Sequence, residues 1–297
     1  LIVAGLRDKF PGDHILAEEA GSLEADHEAD SGRTWYIDPL DGTTNFAHGY
    51  PFFAVSMACG DASGILLGVV YAPYLDELYL AVRGGGAVLE RPHTGTRQVL
   101  KLEAPVDLSS ALLATGFPYQ RDELVDRNTG LVASFLKAPC HGVRRGGSAA
   151  VDLCHVAAGK LDGYWEFKLR AWDTAAGTLV AREAGAIVSD ITGDVEPIHT
   201  TNILAAGEGL HGQMIRILTA GGPARERACP SSTRPSPTGP KANGSPTSWS
   251  MRAWLSAPRW GPTSCRSTAG MDGWKRMPKS PSPSRSWTRG WTCSSGS

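Results

Sequence analysis

The sequence predicts a layered α/β domain over residues 1–222, followed by a segment over 223–297 that cannot form a domain of its own. Two observations carry the first part. Apolar runs of strand length alternate with longer helical stretches, and three of the runs follow one another so closely that part of the sheet is expected to be antiparallel. An abrupt change of composition after Gly222 carries the second. Residues 1–222 hold 17 Lys+Arg and 28 Asp+Glu, a net charge of −11, whereas 223–297 hold 12 and 2, a net of +10; the overall −1 is a cancellation.

In order along the chain, Leu1, Ile2, Gly5, Leu6 and Phe10 have a helical period with no initiator Met or capping residue before them. They read as the second half of an amphipathic helix, so an N-terminal truncation is expected. TWYID at 34–38, FFAVSMACG at 52–60, ILLGVVYAP at 65–73 and ELYLAV at 77–82 are predicted strands, and GGG at 84–86 marks a turn. Residues 123–137 are predicted helical. The Ala-rich SAAVDLCHVAAG at 148–159 is apolar on nearly all sides, which suits a buried helix closed by Gly159. YWEF at 164–167 follows as a strand, 174–184 as a helix stopped by Gly185, and AIVSD as a strand. NILAAG and a helix near 208–219 complete the folded part.

The last 75 residues contain 11 Pro, 16 Ser and 6 of the 9 Trp, yet Leu255 is their only Leu, Ile, Val or Phe. Such a segment cannot offset roughly 1–2 kcal/mol of backbone entropy per ordered residue, and it is expected to be disordered. Its basic charge and spaced Trp would also suit a nucleic-acid or membrane arm, but no aromatic–basic module or amphipathic repeat is visible. The composition reads instead as translation in a wrong frame.

No apolar run approaches the roughly 18 residues of a membrane span, and no signal peptide is expected. The cysteines, Cys59, Cys140, Cys154, Cys229, Cys265 and Cys293, include no CxxC pair. A reduced, cytoplasmic setting without structural zinc is therefore expected.

The most informative string is WYIDPLDGTTNF at 35–46. A strand runs into Asp38, Pro39 forbids a helix, and Asp41-Gly42 makes a turn before TTNF starts a short helix. Two carboxylates three residues apart can converge on one side of that turn, with the Leu40 carbonyl between them. Oxygen donors without His or Cys select hard cations such as Mg²⁺ or Mn²⁺. The N–H groups of Gly42, Thr43 and Thr44 would sit at a helix start, where a phosphate is favoured. An Asp-Pro turn with an ordinary N-cap explains the same string equally well. Glu18 and Glu19 in LAEEAG could be solvated surface charge, and Asp173 in AWDTAAGTLVAREAG an N-cap ahead of its helix. Taken together, the three acidic sites could hold two metals, which one turn cannot.

These residues resemble the inositol monophosphatase family of Mg²⁺-dependent, lithium-sensitive phosphatases. WYIDPLDGTTNF is similar to its first signature, AWDTAAGTLVAREAGAIVSD to its second, and RRGGSAAVDLCHVAAGKLDGYWEF to the segment before it. The resemblance spans residues 1 to about 220. It implies a layered α/β/α/β/α sandwich of the sugar phosphatase type, a homodimer, and two or three Mg²⁺ per site. It also implies that Glu18 ligates the first metal, that Asp38 bridges, that the Leu40 carbonyl and Asp41 bind one metal each, and that Asp173 completes the second site. Glu18 and Thr43 are the implied catalytic residues, Thr43 holding the attacking water. Gly42 and Thr43 are to offer N–H groups to the phosphate, Gly147, Ser148 and Ala149 to line the alcohol side, and Glu166 to bind substrate hydroxyls.

Cys154 and Ser148 have no base partner in the sequence, so covalent catalysis has little support. Ala17 and Ala171 replace the family's usual Gly and Pro, and an upstream Asp and Lys have no counterpart after Leu1. The implied reaction is hydrolysis of inositol 1-phosphate, a small phosphorylated polyol. Fructose-1,6-bisphosphate, histidinol phosphate and 3′-phosphoadenosine 5′-phosphate are rival substrates, and a non-catalytic, regulatory member of the family is the reading from another class. The acidic net charge of residues 1–222 argues against a nucleic-acid partner.

Overall fold

The computed structural model describes residues 1–25, 30–102, 106–118, 124–194 and 200–220. The tail and the expected boundary after Gly222 lie outside the described residues. A large sheet is assembled from β1 (His14–Ala17), β2 (Gly21–Leu23), β3 (Thr34–Asp41), β4 (Ala54–Asp61), β5 (Gly64–Ala72), β6 (Glu77–Val82), β7 (Gly86–Arg91) and β8 (Thr96–Leu100). Its order is β2-β1-β3-β4-β5-β6-β7-β8. Only β1 and β3 run parallel; from β3 to β8 every pair is antiparallel, as the crowding of strands after residue 52 predicts.

A smaller sheet has the order β10-β9-β11-β13-β12, from β9 (Leu112–Thr115), β10 (Gly142–Arg144), β11 (Gly163–Phe167), β12 (Ile187–Ser189) and β13 (Asn202–Ala206). The helices are α1 (Ile2–Lys9), α2 (Thr43–Ala47), α3 (Leu124–Lys137), α4 (Ala149–Ala157), α5 (Ala171–Glu183) and α6 (Leu210–Ala220). Strands β1, β2 and β7 to β10 escape a reading of apolar runs. Four of them are only three or four residues long, β7 (GAVLER) ends in two charged residues, and the TRQVL of β8 is largely exposed.

Burial alternates along β3, and this sets the layers. Trp35 and Ile37 face one side, where Leu6 of α1 covers them, while Tyr36 faces the core that contains α4 and α5. Helices α4 and α5 lie between the sheets, and α3 and α6 cover the far face of the smaller one through Leu131, Phe135, Trp165 and Met214. The order is thus α1, large sheet, α4/α5, small sheet, α3/α6: the expected α/β/α/β/α sandwich.

The central helix layer fits because it is built from small residues. A Cβ at Gly68 of β5 would stand 2.8 Å from the carbonyl oxygen of Ala176, and one at Gly177 would stand 2.7 Å from Leu153 Cβ. Helix α5 therefore touches the sheet on one side and α4 on the other at backbone distance.

Against the α4 side of this layer, Glu77 of β6 is buried (4 % exposed) and accepts from the Tyr79 hydroxyl at 2.8 Å. It also contacts Nε2 of His155 at 3.2 Å, the Lys160 ammonium, and the Arg91 guanidinium at 3.3 Å. Burial pushes its carboxyl up, but the hydrogen bonds from His155, Lys160 and Tyr79 with the Lys160 charge outweigh burial and hold the pKa at about 2.

Two predictions follow from this packing. Gly68→Ala should cost about 1–3 kcal/mol because its clash is with backbone, whereas Gly5→Ala on α1, with open space around it, should be neutral or stabilising by up to about 1 kcal/mol. Denaturant unfolding checks both, and equal midpoints would contradict the close approach of α5. For Glu77, the folded pKa lies below the ordinary 4.5, so its contribution is full above pH 4.5 and fades as pH falls toward 2. The stability gap between the protein and Glu77→Gln should be roughly 3 kcal/mol at neutral pH and close through that acidic window; a pH-independent gap would refute the assignment.

Candidate active site

The parallel pair β1/β3 ends at a cleft. Register pairs Ala17 with Ile37, and the Glu18 N–H donates to the Ile37 carbonyl at 3.1 Å, which sets Glu18 beside Asp38. Strand β3 does not stop at Asp38 as expected but continues to Asp41, with a register shift against β4: Asp38 pairs with Ser56 and Asp41 with Ala54. Three steps on β3 thus oppose two on β4. In a regular strand residues three apart face opposite sides; the irregularity at Pro39, which has no N–H for the ladder, lets Asp38 and Asp41 line the same cleft.

Gly42 then turns the chain with φ +92°, and a Cβ there would stand 2.9 Å from the Phe52 carbonyl oxygen, so both backbone and space require glycine. Helix α2 starts at Thr43, whose hydroxyl donates to the Leu40 carbonyl at 3.0 Å. Across the cleft, Asp173 lies in the first turn of α5, not ahead of it. The helix begins three residues earlier than its Ala-rich pattern shows, because Oδ2 of Asp173 accepts the Arg170 N–H at 2.7 Å and closes the first turn. The Ser56 hydroxyl, paired in register with Asp38, donates to the Trp172 carbonyl at 3.2 Å and so ties this helix start to the sheet.

The inner cleft, about 80 Å³, is lined by Glu18, Asp38, Leu40, Asp41, Gly42, Thr43, Gly147, Ala149, Glu166 and Asp173, together with Phe117, Arg145 and Leu169. It adjoins a larger cavity of about 570 Å³, to which Lys168, Arg170, Trp172 and Thr201 contribute. Ser148 does not line the cleft. Expected on the alcohol side, it is buried (1 % exposed) beneath the cleft, where it caps α4. Its hydroxyl donates to Asp41 Oδ2 at 2.6 Å, beside the Ala150 N–H at 2.8 Å. Glu19 is exposed and outside the cleft.

The electrostatics are those of crowded acids. Burial, then the charges of Asp41 and Glu18, push the Asp38 carboxyl well above the carboxylate range. Burial raises Asp41 to about 6 against the bonds from Ser148 and Ala150, and raises Asp173 to about 7 with help from Asp41 and Glu18. Burial lifts Glu166 to about 7 as well, although the Tyr164 hydroxyl donates to it. Such a set calls for protons or a cation. Its donors are oxygens throughout, which fits a hard divalent ion. Among the described residues no three acidic, His or Cys side chains are gathered tightly enough to close around one ion, so a cation here would also have to draw the carboxylates together.

Three positions that shape the cleft carry no signal in the sequence. Arg145 places a cation in the acidic cleft, and Phe117 forms part of its wall. Asn45, buried on α2, donates from Nδ2 to the carbonyls of Phe52 at 2.6 Å and Gly146 at 2.9 Å. It thereby joins the Asp38–Thr43 loop to the Gly147 loop. No local spacing announces it, because its two carbonyl partners lie 7 and 101 residues away along the chain.

A fold of this layering with an acidic cleft at its strand ends defines a metal-dependent phosphatase type of architecture, and the chain belongs to the inositol monophosphatase family, whose family model matches residues 1–221. It is 44 % identical over 206 residues to the Nus factor SuhB of Pseudomonas aeruginosa, covering 69 % of this chain and 73 % of that protein. It is 40 % identical over 224 residues to the inositol-1-monophosphatase of Mesorhizobium japonicum, covering 73 % and 78 %. The solved inositol monophosphatase from Anabaena superposes with a TM-score of 0.65 at 40 % identity, over 74 % of this chain and 83 % of that one.

Asn45→Asp, nearly isosteric, should destabilise at least as much as Asn45→Ala, about 1–3 kcal/mol, because a carboxylate cannot donate to two buried carbonyls. Urea unfolding of the three proteins tests this. Wild-type stability of the Asp variant would mean that the amide does not join the loops.

Proposed function

We propose that the chain is a Mg²⁺-dependent phosphomonoesterase whose preferred substrate is inositol 1-phosphate. The observation that carries the reading is the convergence of Glu18, Asp38, Asp41 and Asp173 on one cleft, where burial and neighbouring charge hold Asp38, Asp41 and Asp173 above the ordinary carboxylate range. Glu18, Asp38, the Leu40 carbonyl, Asp41 and Asp173 would hold the Mg²⁺ ions. When bound, these neutralise charge on the phosphate oxygens and acidify a water.

The chain's own groups supply the rest. The N–H groups of Gly42 and Thr43 at the start of α2 seat the phosphate. The Thr43 hydroxyl spends its proton on the Leu40 carbonyl, so its lone pairs are free to accept from a water and aim that water's oxygen at phosphorus. Asp41 stays in place because Ser148 and Ala150 hold one of its oxygens. Glu166 accepts from a hydroxyl of the polyol, Gly147 and Ala149 leave room for its ring, and the adjoining cavity gives the alcohol an exit. The reading includes a homodimer and a cytoplasmic location.

A second role is favoured by the relatives named Nus factor SuhB: a regulatory function in partnership with other macromolecules, carried on the same fold. The net charge of −11 over residues 1–222 favours a protein over a nucleic acid as that partner.

Phosphate release should be measured from inositol 1-phosphate, fructose-1,6-bisphosphate, histidinol phosphate and 3′-phosphoadenosine 5′-phosphate, with Mg²⁺ and with EDTA. The expected result is the highest kcat/KM on inositol 1-phosphate, loss with EDTA, and a fall of about a hundredfold or more in Asp38→Asn with the fold retained. Hydrolysis indifferent to EDTA would sink the metal reading. No hydrolysis of any substrate would favour the regulatory one.

A further inference from the structure

Gly116 follows β9 in the loop that leads to Phe117, and its backbone is not in the left-handed region, so conformational freedom does not explain a glycine there. Space does. A Cβ at this position would overlap the carboxylate of Glu166, both oxygens and the carbon between them. The parallel register of β9 with β11 pairs Ala114 with Tyr164 and Thr115 with Trp165, which brings Gly116 alongside Glu166 one residue on. The carboxylate occupies the space that a side chain at Gly116 would fill.

Two further groups hold this arrangement. Tyr164, fully buried and two residues before Glu166 on the same face of β11, donates its hydroxyl to Glu166 Oε2. Asn128 of α3, also fully buried, donates from Nδ2 to the Gly116 carbonyl at 3.1 Å and pins the loop from behind. Glu166 is therefore fixed from two sides, by a hydroxyl on one oxygen and by a bare backbone wall, and it lines both the inner cleft and the larger cavity.

We infer that Gly116 is a specificity-determining position: the missing side chain lets the Glu166 carboxylate reach the hydroxyls of a polyol substrate, with Tyr164 and Asn128 as positioning residues. This rests on the reading of Glu166 as the group that binds those hydroxyls. An added methyl meets the far end of a flexible side chain and not backbone, so it should displace the carboxylate and spare the fold. Glu166 would then lose its aim while the phosphate seat and the four cleft acids stay as they are.

The test compares inositol 1-phosphate with p-nitrophenyl phosphate, which has no hydroxyl beside the ester. For Gly116→Ala, kcat/KM on inositol 1-phosphate should fall about tenfold or more, that on p-nitrophenyl phosphate should stay within about twofold, and the melting temperature should hardly move. Adding Glu166→Asp, which shortens the displaced side chain, should restore part of the ratio. Tyr164→Phe frees one oxygen without adding bulk and should shift the ratio in the same direction, which decides the matter if Gly116→Ala fails to fold. Glu166→Gln separates the two levels. If Glu166→Gln lowers the ratio and Gly116→Ala does not, the inference about Gly116 is wrong. If neither does, the reading of Glu166 is wrong and the inference goes with it. An equal loss on both substrates would show a general structural role and overturn the proposal.

Discussion

Everything about the cleft depends on the cost of keeping carboxylates close together and out of water. Asp38 and Asp41 are buried with Asp173 beside them; the charges of Asp41 and Asp173 push Asp38 up, and that of Asp41 pushes Asp173 up. A chain relaxing on its own would part these groups or protonate them. They stay because separate elements carry them, each anchored elsewhere: Glu18 by the β1–β3 ladder, Asp41 by the start of α4, and Asp173 by the first turn of α5. The stress is met by the scaffold, which leaves the cleft with a strong demand for positive charge.

That requirement explains features of the fold that stability alone would not select. A strand irregularity at Pro39 interrupts the ladder but sends two acids to one side. Gly42 adopts a left-handed conformation under the Phe52 carbonyl, and Asn45 spends a buried amide on two loop carbonyls. The small residues of α5 bring that helix within backbone distance of β5, which places Asp173 opposite Asp38. Rigidity in the central layer and precision in the cleft have the same origin.

The cleft grades from acidic to mixed. Its inner part carries the four acids and Arg145, and the adjoining cavity adds Lys168 and Arg170 near Trp172. Glu166 stands on the boundary and belongs to both. Under the proposed function, a side chain so placed would read the alcohol of the substrate, provided that its carboxylate is held still. The Tyr164 hydroxyl and the bare Cα of Gly116 hold it.

By itself the sequence determined the fold class, the strands β3 to β6 and β11 to β13, the helices α1 to α6, and the identity of the acids, because periodicity and local motifs are written in consecutive residues. WYIDPLDGTTNF named Asp38, Asp41 and Thr43, the acidic strings LAEEAG and AWDTAAG offered Glu18 or Glu19 and Asp173, and family resemblance chose Glu18 and added Glu166. Only the tertiary structure decided what each group touches. Ser148 looked like a lining residue and proved to be an anchor for Asp41, 107 residues away. Asn45 and Gly146 are 101 residues apart, and the need for glycine at 116 exists only because β11 delivers a carboxylate beside it. Hydrogen bonds and excluded volume between distant segments have no period and no local spacing, so they become legible only when packing brings the segments together.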